Sequence, residues 1–343
     1  MGGLTEIAFG MDLLPTAEQE QIATAAKRFL AAELPVGRLG DEAARDASCL
    51  PALADLGWLA ICLDEAIGGT GGSLVEEQIV FREAGRALVS PVLLATVLAA
   101  KMAAHANDLA AGSQLAAATR SAAFAIPLGP VDLARPEGEF LLIDGDMASD
   151  WIIWSAQGMA LVSDATWDRR AVSGLDNSLP HARARFVGGK VVALALGDDP
   201  LVSEAHVLNA ALMLGASRGA LDMVLDYVKL REQFGRPIGS FQAVQHRCAD
   251  CLVRSEAAQA QIDFASVSID RRRADAGFQA RAARIVASKA GFGNAAANIQ
   301  LHGAMGFTAQ CDAHWFQKRM HVLDQLGGSL RLQETALLER PAA

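Results

Sequence analysis

The strongest constraint on this chain is a hydrophobic period that changes twice. Through residues 11–120 the apolar positions recur at helical spacing. Between 121 and 197 they break into short runs, FAIPL, EFLLID, WIIWSA, MALVSD, ARARFV and KVVALAL, divided by Gly, Pro and Asp. From 201 to 340 the helical period returns. A helix groups residues three and four apart on one face, whereas a strand alternates faces at every step. The order helix, strand, helix is therefore written into the spacing. It predicts an α+β chain with an N-terminal helical domain over 1–120, a small, reduced antiparallel β-domain over 121–200, and a C-terminal four-helix bundle over 201–343.

Local signals sharpen this outline. Thr16 with Gln19 forms a capping-box pattern before a helix that places Ile22, Ala25, Ala26, Phe29 and Leu30 on one face. Gly57 stops a second helix. The loop Gly68–Gly72 precedes Ser73, which caps a third. That loop has neither the G-x-x-x-x-G-K-[ST] pattern nor a strand before it, so it reads as a turn and not as a phosphate cradle. Gly215 and Gly219 are spaced for close helix packing. Arg271–Arg273, beside Asp270 and Asp275, read as a solvated helix end. Trp151 and Trp154 read as tryptophans of the β core.

Several function classes drop out. A net charge of -9 argues against nucleic-acid binding. The most apolar stretches, 91–104 and 206–217, are interrupted by Lys101 and closed by Arg218. Neither reaches the roughly 20 apolar residues of a membrane span. The opening Met-Gly-Gly has Glu6 where myristoylation wants Ser or Thr, and the segment has no apolar signal core. Five cysteines, an odd and scattered set, suit a reducing compartment, so a cytoplasmic protein is expected. Cys248 and Cys251 form a C-x-x-C inside helical sequence with no second ligand pair. They read as ordinary helix residues, and no metal site is expected.

Two segments carry chemistry. In REQFGRPIGSFQ, Arg231 to Gln242, a long helix ends in a tight charged turn and a second helix begins near Ser240. Arg231 offers a forked, permanently charged donor, and the next helix start adds free N–H groups; both suit a diphosphate. The pattern equally serves an αα-hairpin whose arginine pairs with a carboxylate. In QLHGAMGFT, Gln300 to Thr308, Gly303 and Gly306 end a helix and permit close backbone approach to a ligand. A plain helix cap followed by a loop would use Gly303 in the same way.

In this order, about 60 residues apart, the two segments resemble those of the acyl-CoA dehydrogenase family. The resemblance extends to LADLGWLAICLDEAIGGTGGSLVEEQIVFREAGRAL in the first helical region and to DAHWFQKR after the glycine turn. It implies an FAD flavoprotein that removes the α-proton of an acyl-CoA with a glutamate and passes the β-hydride to flavin. It further implies that Arg231, Gln233, Phe234, Gln242, Gln300, Gly303 and Ala304 contact the diphosphate and adenosine of FAD held by a neighbouring subunit. An electron-transfer acceptor would take up the electrons.

The departures from the family pattern form a set. FAIPLGPVDL stands where the family carries Thr-Glu-Pro and Gly-Ser-Asp. LGGS replaces a Tyr-Glu-Gly-Thr turn, which puts Gly327 in the place of the catalytic glutamate. In another branch the base lies on the long helix, 26 residues before the motif arginine; here that residue is Ala205. Glu204 is adjacent, but one helical step turns a side chain by about 100°. The expectation is that this chain supplies no catalytic residue. It would be the non-catalytic subunit of a heteromeric α2β2 enzyme whose longer partner holds flavin, thioester and glutamate. The resemblance is to a branch acting on bulky steroid side-chain esters. The alternatives are an autonomous dehydrogenase using Glu204, a flavin-dependent hydroxylase of the same fold, and a non-enzymatic scaffold.

Overall fold

The computed structural model describes residues 13–41 and 49–339. The opening Met1–Gly10 segment lies outside them. Helix α1, Ala17–Glu33, starts with the expected capping box: Gln19 N donates to Thr16 Oγ1 at 3.2 Å, and Thr16 N donates to Gln19 Oε1 at 3.0 Å. Helix α2, Leu50–Asp55, ends two residues before Gly57, whose φ of +76° reverses the chain. Ser73 and Glu76 cap α3, Leu74–Arg86. Helices α4, Val92–His105, and α5, Leu109–Ala116, complete the first helical region. Helix α4 is buried over most of its surface because it lies between β strands and the C-terminal helices. That explains an apolar run too short to span a membrane. Among the described residues no helix is long and apolar enough to do so.

The strands are β1 Ala122–Pro127, β2 Glu139–Ile143, β3 Asp150–Ser155, β4 Gly158–Val172 and β5 His181–Leu196. They close into a barrel in the order β1-β2-β5-β4-β3. Two features depart from the six short antiparallel runs expected from the sequence. ARARFV and KVVALAL are one strand, because Gly188 and Gly189 pass through the ladder while register shifts around Ser163–Trp167 absorb the irregularity. The barrel is also not wholly antiparallel: β1 pairs with β3 in parallel, Ala122 opposite Asp150 and Ala125 opposite Ile153, and this pairing closes it.

The barrel wall has two apolar faces. Ala123, Phe140, Trp151, Ile153 and Val162 fill the interior. Phe124, Ile152, Trp154 and Leu161 point outward and join the helical core. Trp151 and Trp154 are an odd number of residues apart, so strand alternation puts them on opposite faces. Trp151 belongs to the β core as expected. Trp154 does not; it lies between the barrel and the helices.

The C-terminal helices are α6 Pro200–Leu230, α7 Gln242–Asp270, α8 Ala276–Leu301, α9 Ala313–Gln325 and α10 Leu330–Leu338. Helix α6 packs against α3, α7, α8 and α9. Its crossing with α3 needs small residues. A Cβ on Gly215 would lie 1.9 Å from Arg82 O, one on Gly219 2.7 Å from Arg86 O, and one on Gly85 of α3 2.1 Å from Leu212 O. A buried arginine joins the three regions. Arg319 of α9 pairs with Asp176 of the β4–β5 loop at 2.8 Å and donates to Val89 O at 2.6 Å, to Leu88 O and to Ser178 Oγ. Burial would raise the Asp176 carboxyl, but Arg319 and Ser178 outweigh it and hold it below its ordinary range.

Candidate functional site

Arg231 caps the C-terminus of α6; its N–H donates to Tyr227 O at 2.9 Å, and its carbonyl accepts from Ile238 N at 2.8 Å. Between them a short hairpin pairs Glu232–Gln233 with Arg236–Pro237. Its two-residue tip, Phe234 at φ +54° and Gly235 at φ +75°, has positive φ at both central positions, as a tight hairpin turn requires. Phe234 accepts this at a cost of about 1–2 kcal/mol for a non-glycine residue. The residue is 91% exposed. Gln233 Nε2 folds back on Glu232 O at 2.9 Å. A single 3-10 turn, Ile238–Ser240, leads into α7, which begins at Gln242.

The second segment closes α8. Gln300 is exposed in its last turn, and Gly303 reverses the chain at φ +61°. A Cβ on Gly303 would meet nothing within 4 Å, so its backbone faces open space, and Ala304 beside it is exposed. Gly306 differs: a Cβ there would lie 2.2 Å from Ile299 O, so this glycine serves packing and offers no surface to a ligand. A small apolar core of Leu221, Val224, Val228, Cys248, Cys251 and Ala297 underlies both segments. This is the role of the two cysteines: both are buried and free. Among the described residues no His, Cys, Asp and Glu cluster could hold a metal ion. The structure thus brings Arg231, Gln233, Phe234, Gln242, Gln300, Gly303 and Ala304 to one end of the bundle, all exposed. Among the described residues the side chains of Arg231, Gln242 and Gln300 have no hydrogen-bond or ion-pair partner.

The two positions at which the resemblance places a base, Gly327 and Ala205, are closed. Gly327 is buried at φ +68°, and a Cβ on it would lie 2.4 Å from Trp154 Cε2 and 2.6 Å from Trp154 Nε1. The indole fills the place of a side chain. Trp154 is 1% exposed and sits 5.9 Å from the Phe124 ring and 5.4 Å from the His206 ring. Burial, with Arg281 and Arg284 nearby, holds His206 well below the ordinary histidine range. The turn itself is pinned: Gln333 Nε2 donates to Gly327 O at 2.6 Å, and Arg281 donates to Gln333 Oε1 at 2.8 Å. What remains open is a hollow of about 290 Å³ bordered by Ile126, Trp154, Gln325, Gly328 and Ser329, with no ionisable side chain in its wall. Small-molecule pockets generally run from about 300 to 1,000 Å³. Ala205 is fully buried.

Glu204 turns another way. Lys101 Nζ of α4 lies 2.8 Å from Glu204 Oε2 and 2.5 Å from Glu77 Oε2 of α3. Burial alone would lower the Lys101 ammonium, but the two carboxylates outweigh it and hold it above its ordinary value. Glu204 is therefore committed to a cation on the side of α6 that faces α3 and α4. It does not border the hollow beside Trp154.

Known families match on either side of the barrel. Residues 16–114 match the acyl-CoA dehydrogenase N-terminal domain, and 201–340 match the acyl-CoA dehydrogenase C-terminal domain. The chain belongs to the acyl-CoA dehydrogenase family. It is 35% identical over 292 residues to acyl-CoA dehydrogenase IpdE2 of Mycobacterium tuberculosis, an alignment covering 83% of this chain and 85% of that protein. It is 36% identical over 291 residues to acyl-CoA dehydrogenase FadE34 of the same organism, covering 81% of this chain but only 40% of FadE34. In fold it matches the ChsE4–ChsE5 complex from M. tuberculosis, with a TM-score of 0.80 and 22% identity over 97% of this chain and all, 100%, of that one. Family members are FAD-dependent oxidoreductases.

The chain thus displays the two glycine-bearing segments outward, and an indole fills the space beside Gly327. In the sequence Lys101 is a break in an apolar run, and a lone lysine in such a run is itself the signal that a buried partner carboxylate exists. Trp154 gave a weaker signal: its parity along β3 placed it off the barrel interior, but nothing local said what it would meet.

Proposed function

We propose that the chain is the non-catalytic subunit of an α2β2 acyl-CoA dehydrogenase. In this reading it lends Arg231, Gln233, Phe234, Gln242, Gln300, Gly303 and Ala304 to the diphosphate and adenosine of FAD bound by a longer partner. Bound FAD would accept the hydride from the β-carbon of the acyl-CoA. The carrying observation is Trp154 in the place of a side chain at Gly327. A general base must come within hydrogen-bond reach of its proton, and neither Gly327 nor Ala205 has a group to offer. The residues fit one half of the cofactor and not the other. Arg231 is unpartnered and exposed at the same end of the bundle as the open backbone of Gly303, which suits an anionic diphosphate. The hollow beside Trp154 is too small for a flavin ring together with a thioester.

A partner surface is supported by apolar side chains exposed in or next to the same segments: Leu230, Phe234, Met305 and Phe307. Such a cluster is costly in water and ordinary in an interface. The substrate class follows from resemblance: a bulky acyl-CoA of the steroid side-chain kind. An electron-transfer protein would reoxidise the flavin.

An autonomous enzyme using Glu204 finds little support, because that carboxylate is held by Lys101. A hydroxylase would still need a flavin cleft of its own. The test is to express the chain alone and together with a longer acyl-CoA dehydrogenase from the same genome, and to quantify flavin. About one FAD per pair of unlike chains is expected. Full flavin occupancy and turnover by this chain alone would overturn the reading.

A further inference from the structure

The two exposed segments come from different helices, so something must hold them in register. We infer that Tyr227 is a positioning residue for FAD, coupling the Arg231 hairpin to the Gly303 turn; this rests on the proposed role of those segments. Tyr227 is the chain's only tyrosine. Its main-chain carbonyl accepts the Arg231 N–H at 2.9 Å, which ends α6 and aims the hairpin. Its ring stacks on His302, centroids 4.1 Å apart and planes 25° from parallel. Its hydroxyl donates to His302 O at 3.4 Å, at the peptide that leads into Gly303. His302 is fixed in turn, with Nδ1 donating to Asn298 O at 2.8 Å. One residue therefore touches both segments, by backbone on one side and by side chain on the other.

The coupling matters because a diphosphate bound between the segments would need Arg231 and the Gly303 backbone at a fixed separation. The first segment reverses at Phe234–Gly235 and the second at Gly303, and among the described residues no β-ladder joins the two. Deeper in the bundle Asn294 Nδ2 donates to Ser217 Oγ at 2.7 Å and to Cys251 O at 3.0 Å, which fixes α8 against α6 and α7 below the segments. At the level of the segments themselves the Tyr227–His302 stack sets their separation, since offset-stacked rings have a preferred geometry. Tyr227 itself need not touch the cofactor.

The experiment titrates FAD into the oligomer in which the chain is purified, following flavin fluorescence and thermal midpoint together. Four variants are compared: Tyr227→Ala, Tyr227→Phe, His302→Ala and the Tyr227→Ala/His302→Ala double. Arg231→Ala is the reference. Tyr227→Ala is expected to weaken FAD binding about tenfold, the size of one lost contact. Turnover at saturating FAD and the KM for acyl-CoA should hold. Tyr227→Phe keeps the stack and should recover most of the affinity. His302→Ala should match Tyr227→Ala, and the double variant should lose no more than either, because the two rings form one contact. A purely structural role would lower the thermal midpoint while leaving FAD affinity unchanged. If Tyr227→Ala fails to fold, Tyr227→Phe and His302→Ala carry the comparison. Loss of FAD in Arg231→Ala with none in the Tyr227 and His302 variants would overturn the inference alone. No loss in Arg231→Ala would overturn the reading beneath it.

Discussion

Replacing Gly327 by alanine tests whether the indole of Trp154 is what forbids a side chain there. Two costs can be worked from the structure. Residue 327 sits at φ +68°, a left-handed conformation that costs a non-glycine residue about 1–2 kcal/mol. The new Cβ would lie 2.4 Å from Trp154 Cε2, and the indole is hemmed in by Phe124 and His206. Overpacking of this kind costs about 1–3 kcal/mol. Gly327→Ala should therefore destabilise the protein by about 2–5 kcal/mol. Trp154→Ala alone should cost about 3–5 kcal/mol through the cavity it leaves. In the double variant the clash disappears while the backbone cost stays. Its total should fall short of the sum by about 1–3 kcal/mol. The assay is urea unfolding of the purified oligomer followed by circular dichroism, which does not depend on Trp154 emission. A Gly327→Ala protein within about 0.5 kcal/mol of wild type, or strict additivity in the double variant, would refute the packing argument. The same geometry predicts that Gly327→Glu alone will not restore dehydrogenation, because its carboxylate has no room.

Three further outcomes follow from buried charges. Lys101→Met leaves Glu77 and Glu204 without their cation and should cost about 3–5 kcal/mol, whereas Lys101→Met with Glu77→Gln should cost less; equal losses in urea unfolding would contradict the ion-pair account. His206 is held well below the ordinary range by burial, so the unfolded chain takes up a proton that the folded one refuses as pH falls through about 6.5. Stability should then drop with acidification by up to about 1.4 kcal/mol per pH unit, and His206→Gln should flatten this slope between pH 5 and 6.5; parallel curves would count against it. Asp176 is depressed by Arg319, so its contribution is present above the unfolded value of about 3.9 and is lost as pH falls through the lower folded value. Asp176→Asn should accordingly be less stable at neutral pH and less sensitive to acid below about pH 4, and a variant that unfolds in acid as steeply as wild type would rule this out.

The sequence by itself determined the helix–barrel–helix order, the Thr16 and Ser73 caps, the α6–α3 glycines, the family and the absence of a carboxylate at 205 and 327. Each of these is carried by periodicity, by neighbours along the chain or by the identity of one residue, and such signals survive without a fold. Only the tertiary structure decided the rest. It joined two apolar runs into one bulged strand, closed the barrel through a parallel pair, and put Trp154 outside it. It assigned Glu204 to Lys101 and turned Gly306 from a ligand contact into a packing residue. It also showed that the glycine at 327 is a matter of space as well as chemistry, since an indole from β3 fills the place of its side chain. The physical reason is common to all of these: packing and ion pairing join residues far apart in the chain, and no local pattern states which distant side chain will arrive.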